Sequence, residues 1–222
     1  MRPEEPRAIR LADYQAPQFR IHTVHLDFQL DPQATRVHAR LEITRLHGNG
    51  PLVLHGEDQT LLAVALDGAA LAADRYIRDE TSLTIATVPD RFVLEVTSQI
   101  NPAANTALEG LFVAGGMFCT QCEPEGFRRI TCFLDRPDNL SVFTVRIEAD
   151  QERFPVLLSN GNRIEAGTLE DGRHFAVWHD PFPKPSGEPR LEVGRANTRA
   201  RHPGRGERGV PVSICWTVHY GR

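Results

Sequence analysis

The fold class of this chain is decided by Thr23-Val-His-Leu-Asp-Phe-Gln-Leu30, by Asp31-Pro-Gln-Ala34, and by Thr35-Arg-Val-His-Ala-Arg-Leu-Glu-Ile-Thr44. In the first and third segments, apolar residues occupy every second position, which is the period of a strand with one buried face. The Asp-Pro pair between them favours a turn, because the aspartate oxygen accepts nearby backbone N–H groups and proline fixes φ. The segment therefore predicts two strands of an antiparallel hairpin.

The same period of two recurs along the chain, and no eleven-residue window shows a convincing helical stripe. Further strands are predicted over the apolar runs 52–54, 60–66, 81–86, 91–98, 127–133, 142–149, 155–158 and 173–178. Asp67-Gly68, Asn160-Gly161 and Asp171-Gly172 supply hairpin-type turns between them. Many short strands with frequent turns predict an all-β fold, built as a sandwich or as stacked antiparallel sheets.

Composition limits the classes of partner. The chain has 222 residues and a formal net charge of −4, whereas a phosphate-binding surface usually needs a basic excess. No apolar run is long enough to span a bilayer, and the charged N-terminus lacks the apolar segment of a signal peptide. Four cysteines are too few and too clustered for a secreted disulfide framework. We therefore expect a cytoplasmic protein with reduced thiols that binds neither nucleic acid nor a membrane.

Three of the cysteines fall in Cys119-Thr-Gln-Cys-Glu-Pro-Glu-Gly-Phe-Arg-Arg-Ile-Thr-Cys132. Two thiols spaced as Cys119 and Cys122 can form a redox pair or half of a tetrahedral zinc site. The carboxylates of Glu123 and Glu125 would raise the thiol pKa, which disfavours redox chemistry. A structural zinc site also needs four ligands. Packed, reduced cysteines in a strand-rich core are the preferred interpretation.

The nine histidines are scattered along the chain. No His-Glu-x-x-His sequence occurs, so the helical pair that holds zinc in many metallopeptidases is absent. His174 and His179 are five positions apart on a predicted strand, which places them on opposite faces. The histidines therefore predict neither a metal site nor a catalytic residue.

Several further segments carry a family resemblance. They are Tyr14-Gln-Ala-Pro17, Gly56-Glu-Asp58, Asn101-Pro-Ala-Ala-Asn-Thr-Ala-Leu-Glu-Gly-Leu111, Leu157-Leu-Ser-Asn-Gly-Asn-Arg163, Leu169-Glu-Asp-Gly-Arg-His174 and Asp180-Pro-Phe-Pro-Lys-Pro185. Together with Cys119-Thr-Gln-Cys-Glu123 and Leu134-Asp-Arg-Pro-Asp138, they make residues 13–186 resemble the amino-terminal β domain of M1-class zinc aminopeptidases of the bacterial aminopeptidase N type. The resemblance implies a saddle-like antiparallel β domain.

The resemblance also implies roles for two residues. In that family, a glutamate of the β domain projects into the catalytic domain and binds the free α-ammonium group of the substrate. A glutamine two positions earlier lines the pocket for the first side chain. The matching residues here are Glu123 and Gln121. Charge-assisted hydrogen bonds to an ammonium group contribute about 1.5–3 kcal/mol each, so this pair would discriminate against a blocked N-terminus.

The family's zinc machinery lies beyond the matching span. Its Gly-x-Met-Glu-Asn loop, His-Glu-x-x-His helix, distal glutamate ligand and transition-state tyrosine have no counterpart here, so neither a zinc cofactor nor catalysis is expected from this chain alone. Three hypotheses stay open: a β domain truncated before the catalytic domain, a subunit of a split aminopeptidase, or a stand-alone β-sandwich interaction module. The first two imply a peptide N-terminus as ligand, and the second an M1 catalytic domain supplied in trans.

The matching span suggests a division of the chain into three parts. Residues 1–12 are interpreted as an N-terminal extension, 13–186 as the β domain, and 187–222 as a divergent tail with seven arginines and six glycines. We expect the tail to be disordered, either as a natural arginine-rich segment or as the product of out-of-frame translation, which its composition favours. Residues 180–185 are predicted to form a rigid extended connector, because each proline fixes φ.

The family's catalytic domain covers the face around Gln121 and Glu123, so this face is expected to be exposed and partly apolar here. The candidates to line it are Leu108, Leu111, Phe112 and Met117. A contiguous apolar patch there predicts self-association.

Overall fold

The computed structural model describes residues 11–194, which form fifteen strands and four short 3₁₀ turns. The strands are β1 (Phe19–Gln29), β2 (Thr35–Arg45), β3 (Leu52–His55), β4 (Thr60–Leu66), β5 (Ala69–Ala70), β6 (Tyr76–Arg78), β7 (Ser82–Ile85), β8 (Arg91–Ile100), β9 (Gly110–Ala114), β10 (Met117–Gln121), β11 (Ser141–Asp150), β12 (Val156–Ser159), β13 (Asn162–Thr168), β14 (Arg173–Lys184) and β15 (Leu191–Gly194). The 3₁₀ turns are Leu11–Asp13, Ala73–Arg75, Pro102–Ala104 and Gly126–Arg129. The all-β class expected from the sequence is confirmed.

The strands form three sheets. An eight-stranded sheet has the order β13-β14-β11-β1-β2-β8-β4-β5, a four-stranded sheet the order β12-β15-β10-β9, and a three-stranded sheet the order β3-β7-β6. Among the described strand pairs, β1 and β11 alone are parallel, and the other pairs are antiparallel as predicted. One connected hydrophobic core contains residues of all three sheets, so the sheets are stacked.

The β1–β2 hairpin at the centre of the large sheet follows its sequence pattern. Val24 and Leu41, which pair across the two strands, are both fully buried. Burying an aliphatic side chain of this size stabilises the fold by about 1.5–3 kcal/mol. In the connecting turn, Oδ1 of Asp31 accepts hydrogen bonds from the backbone N–H groups of Gln33 at 2.8 Å and Ala34 at 3.0 Å. The turn chemistry expected from the Asp-Pro pair is therefore present.

Two local predictions are wrong. The segment 127–133 is not a strand: Gly126–Arg129 is a 3₁₀ turn, and its continuation makes only an isolated bridge between His55 and Phe133. Its apolar residues recur every third position, which suits a tight turn better than a strand. Asn160-Gly161 does not close a hairpin either, because the strands before and after it, β12 and β13, belong to different sheets.

The fold continues past the boundary drawn at residue 186. Leu191 and Val193 of β15 are buried, and β15 lies between β12 and β10 in the four-stranded sheet. Residues 187–194 are thus part of the β domain, since two apolar residues in alternation suffice for a short central strand. The rest of the predicted tail, 195–222, and most of the predicted extension, 1–10, lie outside the described residues.

The proline-rich segment before β15 is extended, as predicted, but it belongs to a sheet. Residues 180–184 form the end of β14 and run beside the start of β11, where Lys184 lies opposite Ser141. The register shifts between Ser141 and Phe143, which accommodates the prolines at this end of the pair. Among the described residues, no helix is long and apolar enough to cross a membrane.

Candidate functional site

The two predicted site residues lie side by side. Gln121 is the last residue of β10, and Glu123 follows in the loop that leads to the Gly126–Arg129 turn. Both side chains are exposed, whereas Cys122 between them is buried. The amide at the end of the strand and the carboxylate at the start of the loop are therefore both accessible to solvent. Nε2 of Gln121 lies 3.4 Å from the backbone oxygen of Glu123, to which it donates a long hydrogen bond.

Two glycines let this loop pack against the β9–β10 hairpin. A Cβ atom at Gly126 would lie 2.6 Å from the backbone oxygen of Gln121 and 2.9 Å from the backbone nitrogen of Gly110. Gly110 has a φ of 71°, and a Cβ atom there would lie 2.8 Å from Cβ of Arg129. Such distances leave no room for a side chain, so the loop that carries Glu123 touches the hairpin backbone to backbone.

Aromatic packing fixes the far end of the loop. Phe127 and Phe133 are fully buried, and their ring centroids are 4.8 Å apart in an edge-to-face arrangement. Phe127 also lies edge-on to Phe143 of β11, at 5.9 Å. Aromatic pairs of this geometry contribute about 0.5–1.5 kcal/mol beyond the area they bury. The loop is thereby attached to the eight-stranded sheet.

An acidic cluster surrounds two arginines of the same loop. Arg128 pairs with Glu125 at 2.9 Å and with the buried Asp135 at 3.0 Å. Arg129 pairs with Asp58 and, at 3.1 Å, with Glu109. Glu57 approaches both guanidinium groups, at 3.7 and 3.3 Å. With five carboxylates against two arginines, this region beside Glu123 has an excess of negative charge.

The three described cysteines are reduced and buried, as the sequence interpretation preferred. Burial, helped by the negative charge of Asp135, raises the pKa of Cys122 to about 12. Burial raises the pKa of Cys132 to about 11, although Arg78 acts in the opposite direction. Thiols that hold their protons this tightly are poor nucleophiles and poor metal ligands. The pair at 119 and 122 is therefore part of the core.

The exposed apolar face expected around the site is smaller than predicted. Leu111 and Phe112 are buried, because the 3₁₀ turns Pro102–Ala104 and Gly126–Arg129 pack against β9. Met117 is half-buried. Leu108 alone of the four candidates is well exposed, at 47%. Of the four candidates, Leu108 is therefore the one that offers a well-exposed apolar side chain.

The described residues do not fit a zinc ion. They include no group of three or more histidine, cysteine, aspartate or glutamate side chains that could hold a metal. A cleft of about 310 Å³ lies beside the acidic cluster, between Asp58, Asn105, Leu111 and Arg129, but Gln121 and Glu123 do not line it. The candidate site is thus an exposed amide at the end of β10 and an exposed carboxylate in the following loop, a pair that can bind a cation, and no metal-binding group lies among the described residues.

Comparison with known proteins identifies the family of this chain. The sequence profile of the Peptidase M1 N-terminal domain matches residues 19–187. This chain belongs to that family. The M1 N-terminal domain described here is 56% identical over 187 residues to aminopeptidase N of Caulobacter vibrioides and 48% identical over 184 residues to aminopeptidase N of Escherichia coli. These alignments cover 84% and 82% of the chain but only 22% and 21% of the relatives, so the chain spans about a fifth of their length.

Solved structures agree with this M1 assignment. Aminopeptidase A of Legionella pneumophila, crystallised with aspartic acid, superposes with a TM-score of 0.79 at 36% identity, over 84% of this chain and 22% of that chain. An M1 zinc metallopeptidase of Deinococcus radiodurans superposes with a TM-score of 0.70 at 16% identity, over 80% and 42% of the two chains, and supports the fold alone.

Proposed function

We propose that this M1 N-terminal domain supplies the α-amine anchor of an aminopeptidase active site. Glu123 binds the free α-ammonium group of a peptide, and Gln121 lines the pocket for its first side chain. The observation that supports the proposal is that these two exposed side chains are two positions apart, where β10 ends and a loop packed through Gly110, Gly126 and Phe127 begins. A carboxylate held in a fixed position binds the terminal ammonium group and thereby aligns a peptide by its first residue.

The charge around the loop supports a cationic ligand. The acidic cluster beside Glu123 creates a negative potential that attracts an ammonium group. The exposed carboxylate of Glu123 has no ion pair to arginine or lysine among the described residues. It is therefore available to a substrate amine, with which it would form charge-assisted hydrogen bonds.

Hydrolysis itself is assigned to a separate M1 catalytic domain, located either further along the same polypeptide or on a second chain. The described residues offer no ligand set for zinc. We therefore propose that this chain binds a peptide terminus only in combination with that domain and hydrolyses nothing alone. A cytoplasmic location is part of the proposal and rests on the cysteine content of the sequence.

The experiment combines the full chain with the separately expressed catalytic domain of the Caulobacter vibrioides enzyme, using alanine p-nitroanilide as substrate. The wild-type chain is expected to raise kcat/KM of the domain. Glu123→Ala should lower that restored value about ten- to a hundredfold, since it removes charge-assisted hydrogen bonds. Gln121→Ala should change the preference among first residues. Glu165→Ala, which removes an exposed carboxylate on β13, is the matched control.

Equal restoration by wild-type and Glu123→Ala chains would contradict the anchoring role. If the wild-type chain neither binds nor activates the catalytic domain, the two-chain form of the proposal fails.

A further inference from the structure

A buried carboxylate lies behind the loop of residues 122–125, which carries Glu123 and is called the anchor loop below, and packing alone does not explain it. The side chain of Asp135 is fully buried. Its Oδ2 accepts hydrogen bonds from the backbone N–H of Arg128 at 3.1 Å and from Nε of the same residue at 3.0 Å. Its Oδ1 accepts a hydrogen bond from Oγ of Ser186 at 2.5 Å. Nη2 of Arg128 also donates to the backbone oxygen of Asp135 at 3.2 Å.

These bonds join the two segments that flank Glu123. On one side, Arg128 ends a loop in which the backbone N–H of Gly126 donates to the oxygen of Cys122 at 2.9 Å, so the loop closes around Glu123. On the other side, Ser186 precedes Gly187, where a Cβ atom would lie 3.4 Å from Cγ of Glu123. Asp135 therefore fixes both the loop that carries the carboxylate and the turn that packs against its side chain.

We propose that Asp135 is a positioning residue for Glu123, acting through Arg128 and Ser186. A buried charge that loses its partners is strongly destabilised, so displacement of either segment carries a large energetic cost. The network thereby restricts the direction in which Glu123 projects. This inference rests on the proposed function of Glu123, because positioning matters only if that carboxylate binds the substrate amine.

The first test measures amide hydrogen exchange by NMR in the full chain. Ser186→Ala removes one hydroxyl without burying a new charge, and Asp135→Asn removes the charge itself. Both should increase the exchange rates of the Gly126 and Arg128 amides at least about tenfold, because local opening of the loop becomes easier. Ser159→Ala is the matched control, since it deletes a hydroxyl that donates to the backbone oxygen of Arg190 at 2.8 Å rather than to Asp135.

This first test needs no partner domain and reports on Ser186→Ala even if Asp135→Asn does not fold. Exchange rates in Ser186→Ala equal to those of Ser159→Ala would overturn the inference.

The second test uses the two-chain assay. Ser186→Ala should lower kcat/KM for alanine p-nitroanilide about tenfold through a higher KM, because misplacing a binding group is costly. The affinity of the chain for the catalytic domain should stay at the wild-type value. If Glu123→Ala is silent, the proposed function fails. If Glu123→Ala loses activity while Ser186→Ala and Asp135→Asn keep the wild-type kcat/KM, the positioning role fails and the proposed function stands.

Discussion

At the scale of single residues, burial decides the chemistry of the cysteine motif. Cys122 and Cys132 are almost completely inaccessible, at 2% and 0% exposure, and each holds its proton well above the ordinary thiol range. The spacing of a redox or zinc motif is therefore present without the environment that such a motif needs. The two exposed residues beside Cys122, not the thiol itself, face solvent.

Alkylation should reveal this protection. At pH 8, a thiol with a pKa of about 12 is ionised to roughly one part in ten thousand. Cys122 and Cys132 should therefore resist iodoacetamide in the native chain and react fully in denaturant, as measured by peptide mass spectrometry. Cys215, outside the described residues, is followed separately. Equal native and denatured rates at Cys122 would contradict the buried placement.

The same shifts predict how stability depends on pH. The folded-state pKa values of Cys122 and Cys132 lie above the ordinary value of 9.0, so the folded state retains protons that the unfolded state releases. The contribution of these two protonated thiols to the free energy of unfolding is complete below pH 9 and is lost as the pH rises towards 11 and 12. The urea midpoint should fall over this window, and the Cys122→Ser/Cys132→Ser double variant should show a smaller fall. A midpoint that does not change across the window would contradict the assignment.

A glycine substitution tests the contact beneath the anchor loop. Gly126→Ala places a methyl group against backbone atoms at 2.6 and 2.9 Å, and backbone cannot move aside as a side chain can. We expect it to destabilise the domain by about 1–3 kcal/mol in urea unfolding. Gly50→Ala is the control, because its methyl group meets only the movable end of Gln18. Similar losses in the two variants would refute the close packing.

Single residues also show how far the sequence predicts the site. Gln121 and Glu123 are identified by a short motif, and in the structure both side chains are exposed on either side of the buried Cys122. Asp135 and Ser186 were not predicted, because they are 51 positions apart and their hydrogen bond depends on the fold. A buried aspartate in the sequence has no local signature. The role of Asp135 becomes apparent from its three hydrogen-bond donors, which are the backbone N–H and Nε of Arg128 and Oγ of Ser186.

At the scale of elements, β15 extends the domain beyond its predicted end. The strand has four residues, yet it separates β12 from β10 and contributes two buried side chains. The sequence signal is weak because Gly187 and Pro189 precede it and only Leu191 and Val193 alternate. By contrast, β1 and β2 each show at least four alternating apolar positions. Short central strands depend on their neighbours, so alternation alone underestimates them.

Removing one side chain of β15 tests this boundary. Leu191→Ala should destabilise the domain by about 2–5 kcal/mol, because the leucine is 2% exposed and the cavity it leaves cannot fill completely. The control is Ile164→Ala, at a residue of β13 that is 62% exposed. Its free energy of unfolding should stay within about 0.5 kcal/mol of the wild-type value. Urea unfolding measures both. If Leu191→Ala had the same free energy of unfolding as wild type, the domain would end at residue 186 as first predicted.

At the scale of the whole molecule, three sheets share one core, but the loop that carries Glu123 presents its side chain to solvent. The proposed anchor residue therefore lies at the surface of a packed β domain. The region that matches aminopeptidase N covers only about a fifth of the length of those relatives. Self-association stays a prediction with less apolar surface behind it, because Leu111 and Phe112 are buried and Leu108 is the one well-exposed residue of the four candidates.

Metal analysis tests whether the chain has a centre of its own. The purified full chain is expected to contain far less than one zinc ion per molecule, because its sequence has no His-Glu-x-x-His pair and its described residues form no ligand cluster. Inductively coupled plasma mass spectrometry after gel filtration gives the ratio. One zinc ion retained per chain would show that the chain holds a metal site.

The central claim is that Glu123 binds the substrate amine, and a crystal structure of this chain with an M1 catalytic domain and a peptide analogue tests it most directly. The distance to measure joins the carboxylate oxygens of Glu123 and the α-nitrogen of the analogue. We predict about 2.7–2.9 Å, the length of a charge-assisted hydrogen bond. An α-nitrogen held entirely by the catalytic domain, with Glu123 turned towards solvent, would contradict the account.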